Sequence, residues 1–361
     1  MSTLRPMIAT VATLAIAGLS ALPTAALAWN ALGHEEVGAV ADRLIAGSHA
    51  EAWVRYLLDN KTLQTVAVWA DCAKGVKSVD DLNFVYQDNP QYVECAPFSN
   101  PDDKQRFESY VQRNWKQCGT VHGTEYCHNQ YHYTDVSSLR DHYLASYAGA
   151  NTHDVVHAIN AALAVLRDRK PDAPFSIADK REALMLLAHY VGDIHQPLHV
   201  TELYLDAGGN VVDPDKTGYK LGQDTAGGNN IVDGRKLFHG EWDAPPPDLM
   251  PNGAPATLLM QLANKVPRTH GALEGWSEKW ATDSIKLAPQ VFGGLHFTMR
   301  PTDAVNVQNS PEKWDAAGID EQYQERADQL KLNQIAKAGA HLAQLLRAIW
   351  PEDQALPSSS N

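Results

Sequence analysis

Two histidine–aspartate pairs stand out in this 361-residue chain because their spacing places both side chains on one face of a helix. His189 and Asp193 form the first pair, and His239 and Asp243 repeat the four-residue spacing fifty residues later. Residues four apart in an α-helix project from the same side. Imidazole and carboxylate are zinc ligands, and open catalytic sites usually have three of them. Each pair alone could equally be a surface ion pair, but the repeat favours a metal site.

Single residues elsewhere could complete such a site. His199 follows Pro197, which predicts the end of the first helix. Asp71 and His132 each lie beside bulky aromatic residues, where a histidine could equally be a satisfied core residue. Lys74 follows Asp71 by about one helical turn and could bring a cation to the same place.

The N-terminus is typical of a secretory signal peptide. Arg5 precedes an apolar run over residues 7–22, and Ala26-Leu27-Ala28 has the small-x-small pattern of a cleavage site. The run is too short to span a bilayer, so a retained anchor is the less favoured alternative. We therefore predict cleavage between Ala28 and Trp29, a secreted or periplasmic location, and no membrane anchor.

Cleavage at this point would give Trp29 a free α-amine. Such an amine has a pKa of about 7.7–8.0, so it can lose its proton near neutral pH and bind a metal together with its own carbonyl oxygen. His34 lies on the same inward-facing stripe as Val37 and could join it. A buried structural histidine is the alternative at position 34.

Composition restricts the function classes. With 44% hydrophobic residues, the chain can bury a substantial core. Its formal net charge of −13 argues against a basic groove that binds nucleic acid by neutralising phosphates. Bound metal cations could reverse that charge locally.

The four cysteines predict two disulfides in an oxidising compartment, because the C-x-x-C pairs of a cysteine-rich metal site are absent. Three pairings are possible, and the sequence does not choose among them. Our expectation is the nested one, Cys72–Cys127 around Cys95–Cys118.

Apolar periodicity predicts a mainly α-helical single domain over residues 29–356, followed by a disordered tail at 357–361. The helix with the first pair should begin at Ser176, with Asp179 in a capping box, and should turn the face of His189 and Asp193 away from its leucine stripe. A short hairpin is expected around Asn210. The other helices are expected near 37–45, 153–169, 256–265, 274–288 and 319–349.

Together these residues resemble the trinuclear-zinc single-strand nucleases of the S-one and P-one type, which are related to zinc phospholipase C. The cysteine spacing between Asp71 and His132 differs from that of the mould enzymes. The resemblance rests on Trp29, His34, Trp69-Ala-Asp71, His132, His189, Asp193, His199, Gly227-Gly228-Asn229, His239 and Asp243, in unbroken order.

The resemblance implies a mainly α-helical domain that binds three Zn²⁺ ions in three ligand sets. The first set is Asp71, His132, His189 and Asp193. The second set is the amine and carbonyl of Trp29, His34 and the other oxygen of Asp193. The third set is His199, His239 and Asp243.

The resemblance also implies the activity. A monomeric zinc-dependent endonuclease would hydrolyse P–O3′ bonds of single-stranded DNA and RNA to 5′-phosphorylated products, and would act on 3′-nucleotides. Asp193 and Lys74 would be catalytic, the lysine by stabilising charge on the phosphoryl oxygens.

Base recognition would explain the preference for single strands. Tyr133 could stack on an unpaired base, Asp135 could accept a hydrogen bond from its edge, and the backbone at Gly228 and Asn229 could approach closely. A plain core aromatic is the alternative for Tyr133. For the whole chain, the alternatives are a zinc phospholipase C acting on lipid headgroups and a non-catalytic zinc-binding protein.

Overall fold

The structure is a computed structural model that describes residues 29–119, 126–220, 222–234, 236–247, 249, 255–300 and 313–356. The predicted signal peptide (1–28) and tail (357–361) lie outside the described residues. The helices are α1 (Ala31–Ile45), α2 (His49–Leu57), α3 (Leu63–Val66), α4 (Trp69–Ala73), α5 (Pro101–Arg113), α6 (Cys127–Gln130), α7 (Val155–Leu166), α8 (Lys180–Asp193), α9 (Pro214–Thr217), α10 (Phe238–Asp243), α11 (Pro255–Ala263), α12 (Trp276–Ile285), α13 (Ala288–Phe292) and α14 (Glu321–Ile349). Short 3-10 turns span Val93–Phe98, Pro197–His199 and Leu273–Gly275. The strands are β1 (Val76–Ser78), β2 (Phe84–Tyr86), β3 (Val136–Ser137), β4 (Thr201–Glu202), β5 (Ile231–Asp233), β6 (Lys236–Leu237), β7 (His296–Met299) and β8 (Trp314–Ala317).

The predicted mainly α-helical fold is confirmed, and α8 lies at its centre. Every residue of α8 from Glu182 to Asp193 is buried, with α1, α7 and α14 packed around it. Helix α1 approaches α14 closely, since a Cβ at Gly339 would lie 2.5 Å from the Cβ of Val40. The face with His189 and Asp193 lies away from the leucine stripe, as predicted, and it is buried as well because neighbouring elements cover it. The side chains of both residues lie inside the core.

Helix α8 begins later than predicted. Asp179 is its N-cap and accepts a hydrogen bond from the Glu182 backbone N–H at 2.8 Å, so the helix starts at Lys180 and not at Ser176. Aspartate favours the N-cap because its side chain satisfies a backbone donor that has no partner within the helix. The helix ends at Asp193, and Pro197 opens the 3-10 turn that carries His199.

A four-stranded sheet beside α10 was not predicted. Its order is β6-β5-β8-β7, with β5 parallel to β8 and the outer pairs antiparallel. The strands are only two to four residues long, too short for their alternation to be recognised in the sequence. The hairpin expected around Asn210 is a single antiparallel bridge between Leu205 and Val211.

The helix predicted over 274–288 is divided in the structure. A 3-10 turn precedes α12, which ends at Ile285, and α13 begins at Ala288. The predicted helix over 319–349 is α14, whose N-cap is Asp320. Among the described residues, no helix combines the length and apolar character needed to cross a membrane.

The predicted disulfide pairing is wrong. The bonds are Cys72–Cys95 and Cys118–Cys127, so each cysteine pairs with its neighbour along the chain. The antiparallel β1–β2 hairpin explains the first bond, because it returns the chain to the end of α4, where Cys72 lies. Cys95 then follows in the 3-10 turn.

Candidate metal centre

The described residues contain three groups of histidine and aspartate in which each residue offers one ligand atom, all within 4.8 Å of one another. Eight of the nine residues predicted to bind metal belong to these groups. The groups are His34, His189 and Asp193; Asp71, His132 and His189; and His199, His239 and Asp243.

Asp193 lies at the junction of the first two groups. One carboxylate oxygen, Oδ1, is 3.3 Å from Nε2 of His34. The other, Oδ2, is 3.0 Å from Nδ1 of His132 and 3.3 Å from Nε2 of His189. All four side chains are buried. A single carboxylate at the end of α8 can therefore serve two neighbouring cations.

Asp71 reaches the same place from α4. Its Oδ1 lies 3.7 Å from Nε2 of His189 and 3.9 Å from Nδ1 of His132. The ammonium of Lys74, the residue after α4, lies 2.7 Å from the same oxygen. The cation predicted from the spacing of Lys74 thus lies beside this ligand set.

The third group combines two residues of α10 with His199, which lies in the 3-10 turn over Pro197–His199. Nε2 of His199 is 3.2 Å from Nε2 of His239, which is 3.3 Å from Oδ2 of Asp243. The amide of Gln196 donates to the other oxygen of Asp243 at 2.7 Å. Because Gln196 occupies Oδ1, it leaves Oδ2 directed towards the two histidines.

The protonation of these histidines supports a bound cation. Nδ1 of His199 donates to the carbonyl of His132 at 2.9 Å, and Nδ1 of His239 donates to the carbonyl of Gly227 at 2.6 Å. A carbonyl oxygen can only accept a hydrogen bond, so each Nδ1 carries the hydrogen. In a neutral ring the other nitrogen, Nε2, is then unprotonated and carries a lone pair. Two lone pairs facing each other at 3.2 Å repel unless a cation lies between them. Ligating histidines typically donate their second N–H to a carbonyl in this way.

His189 has the same arrangement, because its Nδ1 donates to the carbonyl of Ala67 at 2.6 Å. Its Nε2 then faces Nδ1 of His132 at 3.0 Å. The ring of His189 also stacks on that of His34, with the centroids 3.9 Å apart. The residues present therefore fit metal ions in both places.

Electrostatics keep several ligands in the form that binds metal. Burial lowers the pKa of His34 to about 4 and those of His132 and His239 to about 3, so these rings are neutral at pH 7. Burial would raise the pKa of Asp71, but Lys74 and the nearby histidines outweigh it and hold that pKa at about 2. Metal binding requires deprotonated ligands, which these shifts supply.

The carboxylates also favour positive charge in their midst. Burial lowers the pKa of His189, but Asp193 and Asp71 outweigh burial and raise it. Burial raises the pKa of Asp243 well above its usual value, and the nearby Asp71 and Asp193 raise it further. Excess negative potential in a buried place is what a bound cation relieves.

Trp29 connects the ends of α8 and α10. Its indole is fully buried and donates to the carbonyl of Gly192, directly before Asp193, at 3.1 Å. The next residue, Asn30, donates its backbone N–H to the carbonyl of Asp243 at 2.9 Å. The chain at Trp29 therefore lies between residues of the second and third sets.

The predicted substrate residues flank the metal ligands. Tyr133 follows His132 directly, Asp135 lies two residues further along the chain, and both are half-buried. Gly228 has φ +88°, and a Cβ there would lie 2.9 Å from the ring of Phe238, so the turn packs tightly beside α10. The side chain of Asn229 donates to the carbonyl of Ala226 at 2.8 Å.

Sequence reasoning missed two residues that support this centre, Gln196 and Glu202, and the role of a third, Gly227. Gln196 orients Asp243, the Gly227 carbonyl orients His239, and the buried Glu202 contacts the turn that contains Gly227. Gly227 was available in the sequence as part of the Gly-Gly-Asn motif. Gln196 and Glu202 carry no pattern of their own.

Sequence comparison shows which known proteins this chain is similar to. A sequence model described as S1/P1 Nuclease matches residues 29–351. Nuclease S1 of Aspergillus oryzae (strain ATCC 42149 / RIB 40) is 28% identical over 204 residues. That alignment covers 56% of this chain and 52% of the Aspergillus protein, so it spans about half the length of the curated relative.

Proposed function

The chain belongs to the S1/P1 nuclease family, and on this basis we propose that it is a zinc-dependent endonuclease specific for single strands. It hydrolyses P–O3′ bonds of single-stranded DNA and RNA to 5′-phosphorylated products and also acts as a 3′-nucleotidase. The observation that best supports the proposal is the buried pair of histidine Nε2 atoms at His199 and His239, 3.2 Å apart, whose mutual repulsion a cation between them would relieve.

Three Zn²⁺ ions fit the ligands of the first, second and third sets. When bound, zinc activates water near neutral pH and stabilises negative charge on phosphoryl oxygens. Asp193 contributes one oxygen to each of two sets and so keeps them adjacent. The backbone amine and carbonyl of Trp29 complete the second set after cleavage at Ala28.

Lys74 is the proposed cation for the substrate. Its ammonium lies beside Asp71 and remains partly exposed, so a phosphoryl oxygen near the first set would meet it. A fixed positive charge directed at developing negative charge stabilises the transition state.

The proposed base site involves Tyr133, Asp135, Gly228 and Asn229, which flank the metal ligands on two sides. A base within a duplex offers neither its face nor its Watson–Crick edge, so this site selects single strands. Stacking and bound cations also account for nucleic-acid binding by a chain of net charge −13.

Residues 29–356 act as one nuclease domain in a monomer, which is secreted or periplasmic after removal of residues 1–28. The partners are single-stranded nucleic acids and 3′-nucleotides.

The proposal is tested by incubating the zinc-loaded mature protein with single-stranded DNA, the matched duplex and phosphatidylcholine vesicles. We expect 5′-phosphorylated products from the single strand, much slower cleavage of the duplex, and no choline. Choline without nucleotide products would assign a zinc phospholipase C. Turnover of none of the three would leave a non-catalytic zinc-binding protein.

A Lys74→Ala variant should lower kcat by about 10²-fold, the usual effect of removing one charge-stabilising group. Zinc content should stay at the wild-type value, because the ammonium binds no metal. Steady-state kinetics measure kcat, and elemental analysis measures the zinc content. Lys77→Ala is the matched control, since it removes an exposed lysine from β1 and should leave kcat unchanged. Zinc loss in the Lys74 variant would assign that residue a structural role.

A further inference from the structure

Glu202 is a fully buried carboxylate three residues beyond the metal-ligand candidate His199. Its backbone belongs to β4, which pairs in parallel with β3, and its carbonyl accepts from the N–H of Ser138 at 2.8 Å. This pairing holds Glu202 against the segment that carries His132. The side chain points elsewhere and has no part in the mechanism described above.

Both oxygens of Glu202 contact the turn over residues 225–228. Oε1 accepts from the backbone N–H of Thr225 at 2.6 Å and from the Thr225 hydroxyl. Oε2 accepts from the backbone N–H of Gly227. Three donors on one carboxylate fix the position of this turn.

The same turn orients a metal-ligand candidate. The carbonyl of Gly227 accepts a hydrogen bond from Nδ1 of His239 at 2.6 Å. Nε2 of His239 is then unprotonated, and its lone pair points towards His199. Gly227 has φ +59°, and a Cβ there would lie 2.7 Å from the carbonyl oxygen of Leu198 and 3.2 Å from Nδ1 of His239. The turn therefore packs directly against the imidazole, and any shift of the turn moves the ring.

A carboxylate in this place is costly. Burial raises the pKa of Glu202 to about 7, although the hydrogen bonds from Thr225 and Gly227 lower it. An uncharged hydrogen-bonding side chain would avoid that cost, but no neutral side chain offers two oxygens that only accept. The three donors of the turn match the ionised carboxylate.

We propose that Glu202 is a positioning residue: its carboxylate holds the turn over residues 225–228 so that Gly227 fixes the ring of His239. It thereby sets the affinity for the cation bound by His199, His239 and Asp243. This inference rests on the proposed function, because it takes that third set as a zinc site.

The test replaces Glu202 with glutamine in the mature protein and measures zinc binding by competition with a chelator. In Glu202→Gln an NH₂ group takes the place of one oxygen and faces an N–H donor, so the turn loses at least one bond. Losing a partner that orients a metal ligand costs roughly 10–100-fold in affinity. We expect one of three zinc ions to bind that much more weakly and the other two to remain unchanged.

Activity gives a second readout. At limiting zinc, kcat of Glu202→Gln should fall while KM changes little, and saturating zinc should restore most of it. General misfolding would not be reversed by zinc. Thr225→Val, which removes only the hydroxyl donor, should weaken the same ion by a smaller factor and provides the test if the glutamine variant does not fold.

Glu182→Gln is the matched control. Glu182 is also a buried carboxylate, and it accepts a hydrogen bond from the backbone N–H of Ala178 at 3.0 Å. It forms an ion pair with Arg113 and lies in the first turn of α8, at the end of the helix away from Asp193. The Glu182→Gln substitution should lower the melting temperature of the protein without changing its affinity for zinc. Wild-type affinity for all three ions in Glu202→Gln would overturn the proposal, as would equal weakening of all three. Zinc binding is measured without substrate, so absence of nuclease activity in the wild type would contradict the proposed function alone.

Discussion

Replacing Asp193 with asparagine should nearly abolish turnover and release two zinc ions from each chain. Asp193 presents Oδ1 to His34 and Oδ2 to His132 and His189, so one side chain serves the first and second sets. An asparagine amide nitrogen has no lone pair for a metal, and the side chain has lost its charge. The fall in kcat should exceed the roughly 10–100-fold that follows from losing a partner of a ligand.

Elemental analysis and kinetics on Asp193→Asn measure this effect, and Asp154→Asn is the matched control. Asp154 is also a fully buried aspartate, but it caps α7 and accepts from the Tyr143 hydroxyl at 2.7 Å. Its variant should lose stability and keep its zinc. Full zinc content and ordinary turnover in Asp193→Asn would exclude a shared carboxylate ligand.

A protein that starts at Ala28 should bind one zinc ion poorly and hydrolyse single strands slowly, compared with one that starts at Trp29. A peptide nitrogen cannot bind metal as a free amine can, and the amine loses its proton readily because its pKa is about 7.7–8.0. The indole of Trp29 should dock in both proteins, since its bond to the carbonyl of Gly192 does not depend on the amine. The extended protein should therefore fold normally and lack only the ion of the second set.

Zinc content, melting temperature and nuclease rate of the two proteins decide this point. Enzymatic removal of Ala28 from the extended protein should restore both zinc and rate, which separates the effect from misfolding. Equal zinc and equal rates at the two starting points would remove the N-terminal amine from the site, and the buried His34 would then need another explanation.

The ligand candidates were accessible from sequence because their spacing reflects local backbone geometry. His189 and Asp193 lie on one side of α8 whatever surrounds the helix, and His239 and Asp243 do the same on α10. The start of α8 was less accessible: the sequence favours Ser176, whereas Asp179 caps the helix, because serine and aspartate both favour the N-cap position.

Contacts between distant parts of the chain could not be predicted from the sequence. The nested disulfide pairing failed because the β1–β2 hairpin, which brings Cys95 to Cys72, has no strong signal of its own. The sheet beside α10 was missed because β5 and β8 are short and lie far apart in sequence. Such contacts depend on how the whole chain packs.

The helical class and the identity and spacing of the ligand candidates follow from the sequence alone, which also predicts cleavage between Ala28 and Trp29. Which atoms face one another becomes visible only in the folded chain: the two oxygens of Asp193 face different ligand sets, and the Nε2 atoms of His199 and His239 face each other. The contact of Glu202 with the turn over residues 225–228 is likewise a product of tertiary packing. The physical reason is how far apart in the sequence the interacting residues lie. Helical spacing and capping are set within a few residues, whereas the direction of a lone pair depends on which carbonyl, from a remote part of the chain, accepts the opposite N–H.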